Sequence, residues 1–183
     1  MAIIPYAHED PQDDRVRAVL DRLPEPRINL FTMLANAPAL VGPSLRLGEA
    51  ILTRSDLPAE LRELAILQSA RTTQSEYEWA QHEAIAKLLG VADEKVDAIR
   101  TGDHGALDPA EAAAMRLVEG CIGAATPDED LVREVAGHHG RNGLIELLLV
   151  AGYYAMLGGV MRAVRIDVDS VVEKGMIDAE RLR

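Results

Sequence analysis

An all-α fold is the prediction, and three observations make it. Ala, Leu, Glu and Arg are abundant while aromatic residues make up only 3% of the chain, a composition that favours helix over sheet. No stretch alternates apolar and polar residues with the period of a strand, and no Asn-Gly or Asp-Gly pair joins two such runs. Helix punctuation recurs instead, as N-terminal caps, prolines at first turns and glycines just past helix ends.

The elements follow in order. Residues 13–23 read as a short charged amphipathic helix, closed by the Pro24-Glu25-Pro26 break. Residues 29–36 form another short helix before Pro38, and residues 38–54 a longer one with Gly42-Pro43 as an early irregularity. Pro58 opens the next helix at an N1-like position, and it runs to about Arg71. Thr72-Thr73-Gln74 makes a brief turn. Ser75 then serves as N-cap or first residue of a helix that ends at Gly90, a natural left-handed C′ residue. Residues 93–101 are helical and stop at Gly102. Asp108-Pro109-x-Glu111 and Thr126-Pro127-x-Glu129 both read as capping boxes, opening helices over 109–124 and 127–136. A polar turn over 137–143 precedes a long apolar helix over 144–164, and 166–183 is a tail of mixed character. The expected organisation is one domain: an N-terminal helical extension (1–36), a core (38–102), C-terminal helices (108–165) and the tail.

At 183 residues, with 48% hydrophobic, the chain is long and apolar enough to bury a real core. A formal net charge of −11 argues against a nucleic-acid-binding surface, which needs clustered Lys and Arg. Cys121 is the only cysteine, so no intrachain disulfide or Cys-x-x-Cys pair exists, and the residue reads as a small buried hydrophobe. The N-terminal stretch has neither the basic start nor the apolar run of a signal peptide. The one apolar stretch of membrane length, beginning at Leu144, carries Glu146, Tyr153 and Tyr154 and is expected to be a buried helix. A soluble, cytoplasmic protein that does not engage a membrane is the expectation. His138-His139 does not read as a metal site, because adjacent helical side chains diverge by about a hundred degrees and no carboxylate follows at i+4. Glu146, within an apolar helix, is expected to support an interface or the surroundings of a site.

On the helix over 75–89, Ser75, Glu78, His82, Ile85, Ala86 and Leu89 share one face. Half of that stripe is ordinary core; the other half is a hydroxyl, a carboxylate and an imidazole. Burying such groups without partners costs about 1–3 kcal/mol each, so they either face water or line a pocket together. Glu63, on the preceding helix, is placed to come opposite Glu78 and His82. A carboxylate beside an imidazole fixes its tautomer and raises its basicity, as a proton donor or shuttle requires. The plainer readings are a solvated Glu78/His82 pair, Ser75 as a cap only, and Arg71 as a charge at a helix C-terminus.

Leu61-Arg62-Glu63-Leu64, Ser75-Glu76-Tyr77-Glu78-Trp79-x-x-His82, Ala86 and Leu89-Gly90-Val91 together resemble the carboxymuconolactone decarboxylase family, within the alkyl hydroperoxidase D-like superfamily. The resemblance is strongest from Leu57 to Gly102 and resumes at residues 144–157. It implies an alkyl hydroperoxidase D-like helical domain that forms a homo-oligomer, a trimer or hexamer, with pockets between helices. The peroxidase branch carries Glu, Cys, Cys and His at this spacing; here Glu63 and His82 match, and Ser75 and Glu78 replace the cysteines. Thiol peroxidase chemistry is therefore disfavoured. The decarboxylase branch implies a cofactor-independent lyase or proton-transfer enzyme acting on a small organic acid or lactone, with no metal, in the breakdown of aromatic compounds. On that reading His82 is the proton donor, Glu78 or Glu63 orients it, Arg71 holds the anionic substrate, and Ser75 or Tyr77 donates to the lactone oxygen. The alternative is a non-catalytic helical oligomer that binds a small molecule. The extra segment over 1–36 departs from the family pattern and is placed to reshape the pocket mouth.

Overall fold

The computed structural model of the protein describes residues 1–25, 27–123, 126–169 and 179–182. Nine α-helices appear among them: α1 (Asp14–Leu20), α2 (Asn29–Leu34), α3 (Val41–Arg54), α4 (Ala59–Thr73), α5 (Glu76–Leu89), α6 (Asp93–Thr101), α7 (Pro109–Ile122), α8 (Glu129–Val164) and α9 (Ala179–Leu182). No strand occurs among the described residues, and one 3₁₀ turn, His104–Ala106, links α6 to α7. Ala124 and most of the expected tail lie outside the described residues.

Helix α4 is the axis of the molecule and packs against α5, α6, α7 and α8. Every residue over 61–70 is buried, so the helix has no wet face there. Leu64, Ile66 and Leu67 are fully enclosed, each contributing about 1.5–3 kcal/mol by burial. Arg62, Glu63, Gln68 and Ser69 are enclosed with them, because a helix surrounded by neighbours buries whatever its sequence carries.

Local chemistry sets the boundaries. Helix α4 ends on Gln74 in the left-handed region (φ 56°), and the chain turns directly into α5. The Ser75 hydroxyl accepts from the Glu78 N–H and caps α5. Gly90 and Gly102 close α5 and α6 with φ of 87° and 77°. Asp108 and Glu111 form the expected capping box on α7.

Several expectations are corrected, among them the Thr72-Thr73-Gln74 turn, of which only Gln74 lies outside α4. Helix α8 starts at Glu129 with Asp128 as its cap, two residues later than a cap at Thr126 implies, because a carboxylate outranks a threonine hydroxyl there. The expected turn over 137–143 shrinks to a single non-helical residue, Gly140 (φ 71°, ψ 174°), with helix on both sides. Tertiary contacts hold this stretch: Asn142 Nδ2 donates to Asp56 Oδ2 at 2.9 Å, and Gly143 is buried, with the position a Cβ would take lying 3.7 Å from Leu57.

Helix α8 packs on α4 and α7. Its length and composition would suffice to cross a membrane, yet Leu147, Val150, Ala151, Tyr154 and Leu157 belong to the main core. Glu146 fastens the loop ahead of α4, since its Oε2 accepts from Ser55 Oγ, Asp56 N and Leu57 N. Cys121 is exposed rather than buried, since it sits in the last turn of α7, where burial falls away.

The N-terminal segment forms a smaller cluster of its own, with Val16, Leu20 and Leu23 packed against Ala35 and Val41. It is tied to the end of α8: Ile3 N donates to Val164 O at 2.8 Å, and the Tyr6 hydroxyl donates to Asp167 Oδ2 at 3.0 Å. A third cluster joins Ile28, Ile85 and Leu182. That cluster brings α9 against α5.

Candidate active site

A cavity of about 520 Å³ lies between α3, α5 and the tyrosine-bearing part of α8, and residues near α2 and α9 complete its wall. Most of that wall is apolar, with Ile28, Phe31, Leu52, Ile85, Leu157 and Met161 contributing. Its buried polar side chains include Glu78 and His82, one helical turn apart on α5. The shared face read from the sequence thus opens onto a cavity rather than onto water.

Glu63 stands on α4 behind His82, fully enclosed, with its Oε2 2.8 Å from His82 Nδ1. In the tautomer that puts the proton on Nδ1, Glu63 accepts the Nδ1–H and His82 Nε2 keeps a free lone pair. Arg62 supplies the compensating charge: its Nε lies 3.6 Å from Glu63 Oε1, and its Nη2 donates to the Leu182 carbonyl at 2.5 Å. A buried carboxylate lacking such a partner is strongly destabilising. Tyr154 meets the His82 ring edge-on, with centroids 4.9 Å apart and planes at 87°. Burial, and then the nearby Glu63 charge, hold the Tyr154 phenol well above its usual range.

Glu78 has no such support. Only 2% of it is exposed, and neither carboxyl oxygen has a hydrogen-bond partner. Burial pushes its carboxyl well above the usual carboxylate range, which favours the neutral acid. Gly158 makes room for it: a Cβ there would lie 2.8 Å from Glu78 Oε2 and 2.5 Å from Thr73 Oγ1.

The residues nominated from sequence fall into two groups. Glu63, Glu78 and His82 converge, and Tyr77 joins Glu78 and His82 in the cavity wall. The Tyr77 hydroxyl, however, donates to Asp169 Oδ1 at 2.7 Å and accepts from Leu30 N. Its proton is therefore committed, and burial holds the phenol far above its usual range. Ser75 caps α5 from outside the cavity wall, and Arg71 is elsewhere. The Arg71 guanidinium pairs with Glu119 at 3.4 Å and packs on Gly102, because the last turn of α4 directs it toward α6 and α7. Sequence reading missed Arg62, Tyr153 and Tyr154. Arg62 had a signal, its place directly before Glu63 in a buried run. The tyrosines had only their polarity within an apolar helix. Among the described residues no group of three His, Cys, Asp or Glu side chains is placed to hold a metal ion.

This arrangement defines an all-helical protein with an acid and an imidazole facing one apolar cavity. Residues 38–120 match the carboxymuconolactone decarboxylase family model, a span that holds Glu63, Glu78 and His82. The fold is similar to an alkylhydroperoxidase AhpD core, an uncharacterized peroxidase-related protein from Ralstonia eutropha JMP134, over 92% of both chains (TM-score 0.75, 13% identity). It is also similar to the debrominase Bmp8 in its apo form, over 100% of this chain and 97% of that one (TM-score 0.69, 18% identity). A cysteine-to-alanine variant of Bmp8 in complex with 2,3,4-tribromopyrrole matches over 92% of this chain and 90% of that one (TM-score 0.70, 18% identity). At these identities the structural likeness establishes the fold alone. No curated protein matches the sequence. The family match covers residues 38–120, under half of the chain, and the fold as a whole is AhpD-like.

Proposed function

We propose that the cavity is the active site of a cofactor-independent enzyme that moves a proton on a carbonyl or lactone substrate. The observation that carries this reading is the pairing, in one apolar cavity, of a buried, unpartnered Glu78 with a His82 anchored through Nδ1. His82 Nε2 removes the proton from the carbon next to the carbonyl. The electron pair of that C–H bond moves into the carbonyl, and Glu78 O–H delivers its proton to the oxygen, giving an enol and a Glu78 carboxylate. Return of both protons, at the same or a vinylogous carbon, restores the site. Loss of CO₂ from a carboxylated lactone, the reaction the family resemblance implies, places its electron pair in the same carbonyl and needs the same acid.

The carboxy-lyase version also needs a cation to seat the substrate carboxylate. Arg71 does not line the cavity, and the arginines that do, Arg46 and Arg181, are exposed at its rim. Proton transfer is accordingly the firmer core of the proposal. A thiol route has no thiol in the wall, as Cys121 is exposed on α7. A homo-oligomer is part of the proposal, since α8 leaves Ile145, Leu149 and Met156 more than half exposed.

The test is deuterium incorporation next to the carbonyl of unsaturated γ-lactones and cyclic ketones in D₂O, followed by NMR, with CO₂ release from carboxylated lactones measured in parallel. His82→Ala and Glu78→Ala are each expected to slow exchange by about 10²–10⁴-fold. Full turnover in His82→Ala would sink the assignment.

A further inference from the structure

Beyond the reaction itself, the cavity carries information about the molecule that fills it. Its volume is about 520 Å³, whereas an engineered cavity of about 150 Å³ suffices to hold benzene. A small single-ring acid would leave much of this wall uncontacted. Two fused rings, or a ring with a short chain, fit it better.

The charges are the second constraint. A carboxylate taken into an apolar cavity needs a buried cation, because desolvating it alone costs more than its contacts return. Among the described residues of the wall the cations are Arg46 and Arg181, both exposed, and Glu49 stands three residues from Arg46 on the same helix. Arg62 is buried, but it lies outside the wall and serves Glu63 and the Leu182 carbonyl. An anion in the interior would instead meet Glu78 with no cation to offset it.

The third constraint is the orphan carboxyl. Glu78 is almost wholly buried, lines the cavity and has neither oxygen hydrogen-bonded. Native proteins seldom leave such a group unmatched, and a ligand acceptor would complete it. We infer that the ligand of this cavity is an uncharged, largely apolar molecule of about two-ring size, bearing one carbonyl-type oxygen that accepts the Glu78 O–H. This rests on reading the cavity as the site of proton transfer, and it narrows the substrate away from small carboxylated acids. The carbonyl sits on Glu78, which brings the neighbouring carbon toward His82, one turn along the helix.

Isothermal titration calorimetry with three two-ring probes tests the inference at neutral pH. α-Tetralone carries the carbonyl, tetralin lacks it, and α-naphthoate carries a charge in its place. The wild-type protein is expected to bind α-tetralone about tenfold more tightly than either of the others, the size of effect that leaving a buried polar group unmatched produces. In Glu78→Ala the preference for α-tetralone over tetralin should fall to about one, while Glu78→Gln, whose amide still donates, should keep it. Tightest binding of α-naphthoate, equal binding of α-tetralone and tetralin, or no binding of any probe would each overturn the inference. The wild-type comparison stands without the variants. Tight α-tetralone binding without deuterium exchange would overturn the proton-transfer reading and leave the ligand class standing. Exchange confined to carboxylated lactones, with weak α-tetralone binding, would do the reverse.

Discussion

Glu78 makes the protein sensitive to pH in a direction opposite to most carboxylates. Burial raises its carboxyl in the folded state above the ordinary value near 4.5. The unfolded chain therefore gives up this proton at lower pH than the folded one. Above about pH 4.5 the unfolded state binds fewer protons than the folded state, so the contribution of this group to stability falls as pH rises until the folded carboxyl ionises. Glu78→Gln removes that loss. Its melting temperature, relative to wild type, is expected to rise between about pH 4 and pH 8, each kcal/mol appearing as about 2–4 °C in a chain of this size. A difference that stays constant across this range, read by circular dichroism melts, would mean that Glu78 is not held neutral. Two neighbouring residues of the site are built in opposite ways. His82 is secured by a chain of partners through Glu63 to Arg62, and Glu78 is left with none.

At the scale of elements, α8 shows how much a single residue decides. Gly140 takes φ 71° and ψ 174°, a region that essentially only glycine enters, and a Cβ there would meet nothing within 4 Å. Gly140→Ala is expected to cost about 1–3 kcal/mol from backbone strain alone. Gly137→Ala, nearly one turn earlier on the same helix, exposed and equally uncrowded, is expected to gain up to about 1 kcal/mol. Urea midpoints that move in the same direction for both would contradict this account.

The same helix marks where sequence reading stops. Local signals were legible: the Asp108 box, the Gly90 and Gly102 ends and the Ser75 cap each depend on residues within one turn. Residues 137–143 read as a turn, because the contacts that Asp56 and Leu57 make with Asn142 and Gly143 come from far along the chain. Glu63, Glu78 and His82 were visible through their spacing. Arg62 was passed over although it directly precedes Glu63, since α4 is buried on every side and no periodic stripe separates its important residues from the rest. Arg71 was misplaced because sequence gives a residue's helix but not which neighbour its side chain will meet.

The whole molecule presents an apolar line to solvent. Ile145, Leu149, Gly152, Met156 and Val160 follow one another along α8 at steps of three and four, all exposed. A net charge of −11 opposes association of like chains, so the proposed homo-oligomer is expected to draw on apolar surface such as this strip, where Gly152 leaves room for another helix. A mass several times that of one chain is expected in light scattering. Leu149→Glu together with Met156→Glu should shift it toward the single-chain value. A wild-type monomer would refute the oligomer.

The cavity also joins parts of the molecule that differ in permanence. Glu63 projects from the helix that every neighbour encloses, while Ile28, Phe31 and Leu182 at the cavity's edge belong to a loop and to helices of six and four residues. Short peripheral elements open locally at far lower cost than a central helix unfolds. Amide hydrogens of α2 and α9 should exchange orders of magnitude faster than those over 61–70, and uniform protection across all three would argue otherwise. The cavity's outer edge is thus expected to loosen independently of the helix that carries Glu63, so the wall a ligand meets first is the part least fixed in place.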